Sequence, residues 1–116
     1  MNDLATVEIL RTDGTREEHL VGKHCLLEWI RRRIGAEITD SFRLKDGTDC
    51  VCILDDRGYE TADVMIGAGS LVLKPTKPLK PVNEQATQLY HRICKPGTTH
   101  QIVGDVAIAH DRDFAG

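Results

Sequence analysis

Aromatic residues are scarce in this chain of 116: one Trp, two Tyr and two Phe, 4% in all. The core must therefore be aliphatic, and stacking surfaces for bases or sugars are few. Basic residues do not exceed acidic ones either, with 15 Lys and Arg against 18 Asp and Glu and a net charge of −3. That balance removes the global positive field on which nonspecific nucleic-acid binding depends, so a generic DNA coat is disfavoured. No run approaches the roughly 18 apolar residues that cross a bilayer, and Met1-Asn2-Asp3-Leu4-Ala5 lacks a basic start followed by an apolar stretch. These absences predict a cytoplasmic protein with no membrane contact, its thiols reduced. Ile, Leu, Val and Phe still make up about a quarter of the residues, above the roughly one-fifth level below which disorder is the default, so a folded single domain over residues 1–116 is expected.

Four cysteines are present, at 25, 50, 52 and 94. Cys50 and Cys52 would share one face of a strand, where the side-chain period is two. Structural zinc sites want two to four intervening residues and a matching second pair, which the chain lacks, so small buried hydrophobes are the expected role and no metal or cofactor is predicted.

Along the chain, Thr6 to Leu10 and Glu17 to Val21 alternate as strands about Asp13-Gly14, a strong hairpin signal. From Lys23 the period changes, and Leu26, Leu27, Ile30 and Ile34 mark one helical face that stops at Gly35, with Arg31, Arg32 and Arg33 in the last turn where cations suit the helix dipole. Ile38 to Leu44 and Asp49 to Leu54 read as a second hairpin about Asp46-Gly47, the latter strand apolar enough to sit centrally. The signal weakens from Tyr59 to Leu73, where 62–66 and 70–73 could each be a short strand around Gly67 and Gly69. Prolines at 75, 78 and 81 predict an extended polyproline II connector over 74–81. Its PxxPxK form matches SH3-type ligands, but a stiff spacer accounts for it. Asn83 then caps a helix carrying Ala86, Leu89, Tyr90 and Ile93 on one stripe. His100 to His110 has apolar residues on both faces and predicts a strand covered on both sides, before a loose tail at 111–116. The whole predicts an α+β domain: a mostly antiparallel sheet of two hairpins plus a C-terminal strand, with two helices on one face, its first half in the strand order of a β-grasp unit.

Several of these segments together carry a resemblance: Leu26-Leu27-Glu28-Trp29-Ile30 running into Ile34-Gly35, Glu37-Ile38, Cys52-Ile53-Leu54-Asp55-Asp56-Arg57-Gly58, Asn83-Glu84-Gln85-Ala86-Thr87-Gln88-Leu89-Tyr90 and Ile102-Val103-Gly104-Asp105-Val106. Over roughly Leu26 to Ile108 the chain resembles a family of small uncharacterised domains found in bacteria, phages and plasmids. The resemblance implies a bacterial or mobile-element accessory protein, implies that Asn83, Ala86, Thr87, Gly104 and Asp105 belong together, and carries over no activity. The stretch from Tyr59 to Val82 is longer than the family's connection and the N-terminal hairpin more elaborate, so surfaces near them are specific to this chain.

Candidate residues follow from chemistry. Asn83, Thr87 and Asp105 are the ligand-binding candidates, although a cap suffices for Asn83 and a turn or bulge at Gly104 for Asp105. Arg31, Arg32 and Arg33, with Lys23, offer a basic helix face for an anion or a partner. His91 and Cys94 share a helical face and form the best thiol-imidazole pair, which with Asp105 would make the site of a small enzyme. Gly67-Ala68-Gly69-Ser70 lacks both the third glycine of a dinucleotide fingerprint and the Gly-Lys-Ser/Thr of a phosphate loop, and reads as a turn. No catalytic set is assembled. The leading expectation is a noncatalytic binding or interaction module for a protein or small ligand, with an enzyme at Asp105, His91 and Cys94 or a nucleic-acid accessory role for Arg31 to Arg33 as alternatives. Open edge strands also allow a homodimer.

Overall fold

The computed structural model describes residues 3–66, 70–94 and 96–114, with side chains except those of 60–66 and 70–76. β1 (Leu4–Leu10) and β2 (Arg16–Gly22) form the expected hairpin, Leu10 facing Arg16 in register. Its turn is held by Asp13, whose Oδ1 accepts from the Thr15 amide at 2.9 Å and from its hydroxyl at 2.6 Å, while Gly14 takes φ +91°. α1 (Leu26–Ile34) follows a short 3₁₀ turn, buries Leu26, Ile30 and Ile34, and ends at Gly35 in the left-handed region, as its apolar spacing and terminal glycine require. β3 (Thr39–Arg43) and β4 (Cys50–Asp55) make the second hairpin.

β7 (Val106–His110) closes the sheet by entering between the hairpins, giving the order β2-β1-β7-β4-β3 with every pairing antiparallel. β4 is thus interior, but β7 holds the middle. β1 and β4, both antiparallel to β7, run parallel to each other without pairing, so the resemblance to a β-grasp unit stops at strand order. β7 is shorter than the 100–110 expectation. Gly104 takes φ +78°, and the Asp105 carboxylate turns back to the β1–β2 turn, so ladder pairing begins only at Val106.

The helices lie on opposite faces of the sheet, which corrects the expectation of one shared face. Ala5, Val7, Ile9, Val51, Ile53, Ala107 and Ala109 pack with Leu26, Ile30 and Ile34 of α1. The alternate residues Leu10, Cys52 and Val106 pack instead with Ala86, Leu89 and Tyr90 of α2 (Glu84–Ile93). The physical reason was already in β4 and β7: strands apolar on both faces need a cover on each.

Between the second hairpin and α2, β5 (Tyr59–Ile66) and β6 (Ser70–Pro78) form a separate two-stranded sheet, longer than the two short strands expected; Gly67 and Gly69 lie outside the described residues. β6 overruns the expected connector: Lys74 faces Ala62, Pro75 faces Thr61 and Pro78 faces Tyr59 across the ladder. Proline is tolerated there because a two-stranded sheet has only edge strands, on which a missing N–H can face outward. The tail also differs. Residues 111–114 form a 3₁₀ turn that buries Asp113 and packs Phe114 on the α1-side core, with the Asp113 carboxylate 3.5 Å from Lys23 Nζ; residues 115–116 lie outside the described residues. No helix among the described residues is long and apolar enough to cross a membrane.

Candidate functional site

Asn83 is fully buried and uses both ends of its amide within the protein. Its Oδ1 accepts from the Ala86 amide at 3.1 Å and so caps α2, while Nδ2 donates to the carbonyls of Leu10 at 2.9 Å and Gly104 at 3.0 Å. One side chain thereby ties a helix start to the end of β1 and to the segment entering β7. Thr87, one turn on, accepts from the Ile102 amide at 2.9 Å and donates to the Ile102 carbonyl at 3.3 Å. The expected grouping of Asn83, Ala86, Thr87 and Gly104 is a set of bonds between α2 and residues 102–104, and it leaves no polar atom of Asn83 for a ligand.

Asp105 faces the other way, accepting from the Thr12 amide at 3.0 Å and from Arg11 at 2.8 Å. Arg11 bridges it to Glu17, which also accepts from Arg33 at 2.9 Å and lies 2.9 Å from His19 Nε2. Arg11 first, then His19 and Arg33, hold the Glu17 carboxyl well below the usual carboxylate range, and the Glu17 contact raises the Arg11 guanidinium. Arg33 lies 5.8 Å above the Trp29 ring, and His19 5.1 Å from that ring. The arginine triplet therefore does not form one basic face. Successive helical residues diverge by about 100°. Arg33 turns to Glu17, Arg32 pairs with Glu28 at 2.8 Å, Lys23 reaches Asp113, and Arg31 has no ion-pair partner among the described residues.

Of the enzyme candidates, Asp105 is not brought to His91. Asp105 sits by the start of α2 and the β1–β2 turn, whereas His91, in the last turn of α2, has its Nε2 2.7 Å from the His100 carbonyl oxygen. Along the helix that separation is about 12 Å. Cys94 instead neighbours Tyr90, and its influence together with burial raises the phenol. Cys52 is buried, and burial alone pushes its thiol up to about 12. Cys50 is half-buried on the same face. Among the described residues no three His, Cys, Asp or Glu side chains lie together in a way that could hold a metal ion.

Sequence reasoning missed a cleft of about 220 Å³ where the end of β4 meets the segment before β7, lined by Asp40, Leu54, Asp56, Tyr59, His100 and Ile102 among others. Three of the five aromatics gather beside it: Phe42 packs edge-on to Tyr90 at 5.3 Å, Tyr90 meets His100 at 5.6 Å, and His100 meets Tyr59 at 5.4 Å. Tyr59 donates from its hydroxyl to the Gln101 carbonyl, and burial raises its phenol. Asp55, buried in the cleft wall, is neutralised by Lys80 at 2.7 Å, whose ammonium also donates to Gly35 and Ile34 carbonyls and so caps the end of α1. Asp40 and Asp56 remain exposed on the rim; among the described residues neither carboxylate has an ion-pair partner, although Asp40 accepts from the Ser41 amide at 2.8 Å. Nothing local in the sequence marks this site, because its residues come from β3, the β4 end, the start of β5 and the segment before β7. Comparison of the chain with protein families, with curated proteins and with solved structures finds no match to any of them.

Proposed function

We propose that this protein is a noncatalytic binding or interaction module, and that its ligand docks a basic group in the cleft beside Tyr59 and His100. The observation that carries this reading is the pairing of two rim carboxylates, Asp40 and Asp56, with a row of aromatic rings, while the polar atoms of Asn83, Thr87 and Asp105 are occupied by bonds within the fold. A lysine or arginine side chain of a partner, or a small organic cation, answers both features: carboxylates attract it at the rim, and a ring face adds about 0.5–1 kcal/mol at an exposed site. The resemblance to small domains of bacteria, phages and plasmids supports placing it in the cytoplasm as a phage or mobile-element accessory protein.

The test is an NMR titration of the isotopically labelled protein with N-acetyl-arginine amide, N-acetyl-lysine amide and a short basic peptide. Shifts concentrated at Asp40, Asp56, Tyr59 and His100, weakened several-fold by the double change Asp40→Asn and Asp56→Asn, are expected. Basic peptides that bind while leaving these residues unmoved, or that do not bind at millimolar concentration, refute the reading. The edges β2 and β3, unpaired among the described residues, support self-association as a competing use of the surface; sedimentation of the unliganded protein distinguishes the two.

A further inference from the structure

The register of β4 against β7 places Cys50 directly opposite His110, residues 60 apart in the chain, and brings the Cys50 Sγ to 3.7 Å from His110 Nδ1. This is a thiol-imidazole pair that neither motif nor spacing revealed. It stands at the opposite end of β4 from the cleft, about 16 Å along the strand, and does not depend on the reading of that cleft.

The remaining cysteines lack this arrangement. Cys52 is buried with its thiol held protonated, Cys25 donates to the Gly22 carbonyl at 3.5 Å and packs on the core, and Cys94, at the end of α2, has no imidazole hydrogen-bonded to its sulfur among the described residues. Cys50 is half-buried, as is His110, so both are reachable from solvent. The charged groups nearby are Arg43, Asp49 and Asp111, but Arg43 binds both carboxylates at 2.8 Å. Asp111 lines a cleft with Val51, Ile53 and Phe114 on the α1 side of the sheet, whereas Cys50 packs on the α2 side.

From this geometry we infer that Cys50 is a reactive thiol, a site of modification by low-molecular-weight disulfides of the glutathione or cystine class. The chemistry balances without a further oxidant. The Cys50 thiol passes its proton to His110 Nδ1, the thiolate attacks one sulfur of the disulfide, a new sulfur–sulfur bond forms at Cys50, and the other half leaves as a thiolate that takes up the proton. The product is a mixed disulfide at Cys50 and one free small thiol.

The experiment treats the folded full-length protein with a substoichiometric dithiobis-nitrobenzoate reagent and with oxidised glutathione, follows thiol release, and maps the modified cysteine by peptide mass spectrometry. Cys50 is expected to react first, about tenfold faster than Cys25 or Cys94, because the imidazole 3.7 Å from its sulfur can take the thiol proton as the sulfur attacks. Cys50→Ser must abolish the fast phase. His110→Gln, with unchanged circular dichroism, must slow it by about tenfold. If that variant does not fold, the order of reaction in the wild type still decides, because unfolding in urea must erase the advantage of Cys50. Equal rates for Cys25 or Cys94 in the folded protein, or a folded His110→Gln variant that reacts at the wild-type rate, overturn the inference.

Discussion

Replacing Asn83 by Ala removes a side chain with no solvent exposure and three hydrogen bonds to three different parts of the fold. Loss of an N-cap costs about 1 kcal/mol. The two carbonyls of Leu10 and Gly104 then lose a buried donor, at about 1 kcal/mol each, and the vacated volume adds a cavity term of similar size. The sum, about 3–4 kcal/mol, is a large share of the roughly 5–15 kcal/mol that holds a domain of this size together. Urea denaturation measures it: with a slope near 1.5–2 kcal/mol/M the midpoint falls by about 2 M. Asn83→Asp sharpens the reasoning. It keeps the capping oxygen but turns a carboxylate toward two carbonyl oxygens, so the folded state raises the pKa of the new side chain. That variant is accordingly most stable at low pH, where the protonated carboxyl can donate, and loses stability as pH rises through its folded pKa. A cost below 1 kcal/mol for Asn83→Ala would refute the reasoning, since it would mean that the residue is a surface cap and not a three-way tie.

The Glu17 carboxyl is held low by Arg11, His19 and Arg33, so its contribution is present above its unfolded pKa and lost as pH falls through the acid range; Glu17→Gln should flatten the acid limb of the stability curve, measured as urea midpoint against pH between about 2 and 6. Lys80→Met removes the partner of buried Asp55 and the cap on the Ile34 and Gly35 carbonyls, and should cost about 2 kcal/mol, less than for a fully buried pair because Lys80 is partly exposed. Arg32→Ala, which breaks an exposed pair with Glu28, should by contrast cost no more than the few tenths of a kcal/mol such i,i+4 pairs supply, a fall in thermal midpoint of about 1–2 °C.

The parts of this fold legible in the sequence are those whose cause is local. Asp13-Gly14 makes a hairpin because its side-chain and backbone preferences close a turn over four residues. α1 stops at Gly35 because the left-handed conformation there costs glycine little, and Asn83 caps α2 because its oxygen reaches an amide three residues on. Both faces of β7 were also readable as apolar. Tertiary structure decided what those faces meet: β7 between β1 and β4, one helix on each side, and the second role of Asn83 in holding Leu10, 73 residues away. It likewise decided that Asp105 stays apart from His91, that Phe42, Tyr59 and Tyr90 converge at one cleft, and that Cys50 faces His110. The physical reason is that helical and strand periods constrain neighbours a few residues apart, whereas cross-strand partners are set by the register of whole strands. That register is chosen by burying two apolar faces at once, a condition no short segment contains.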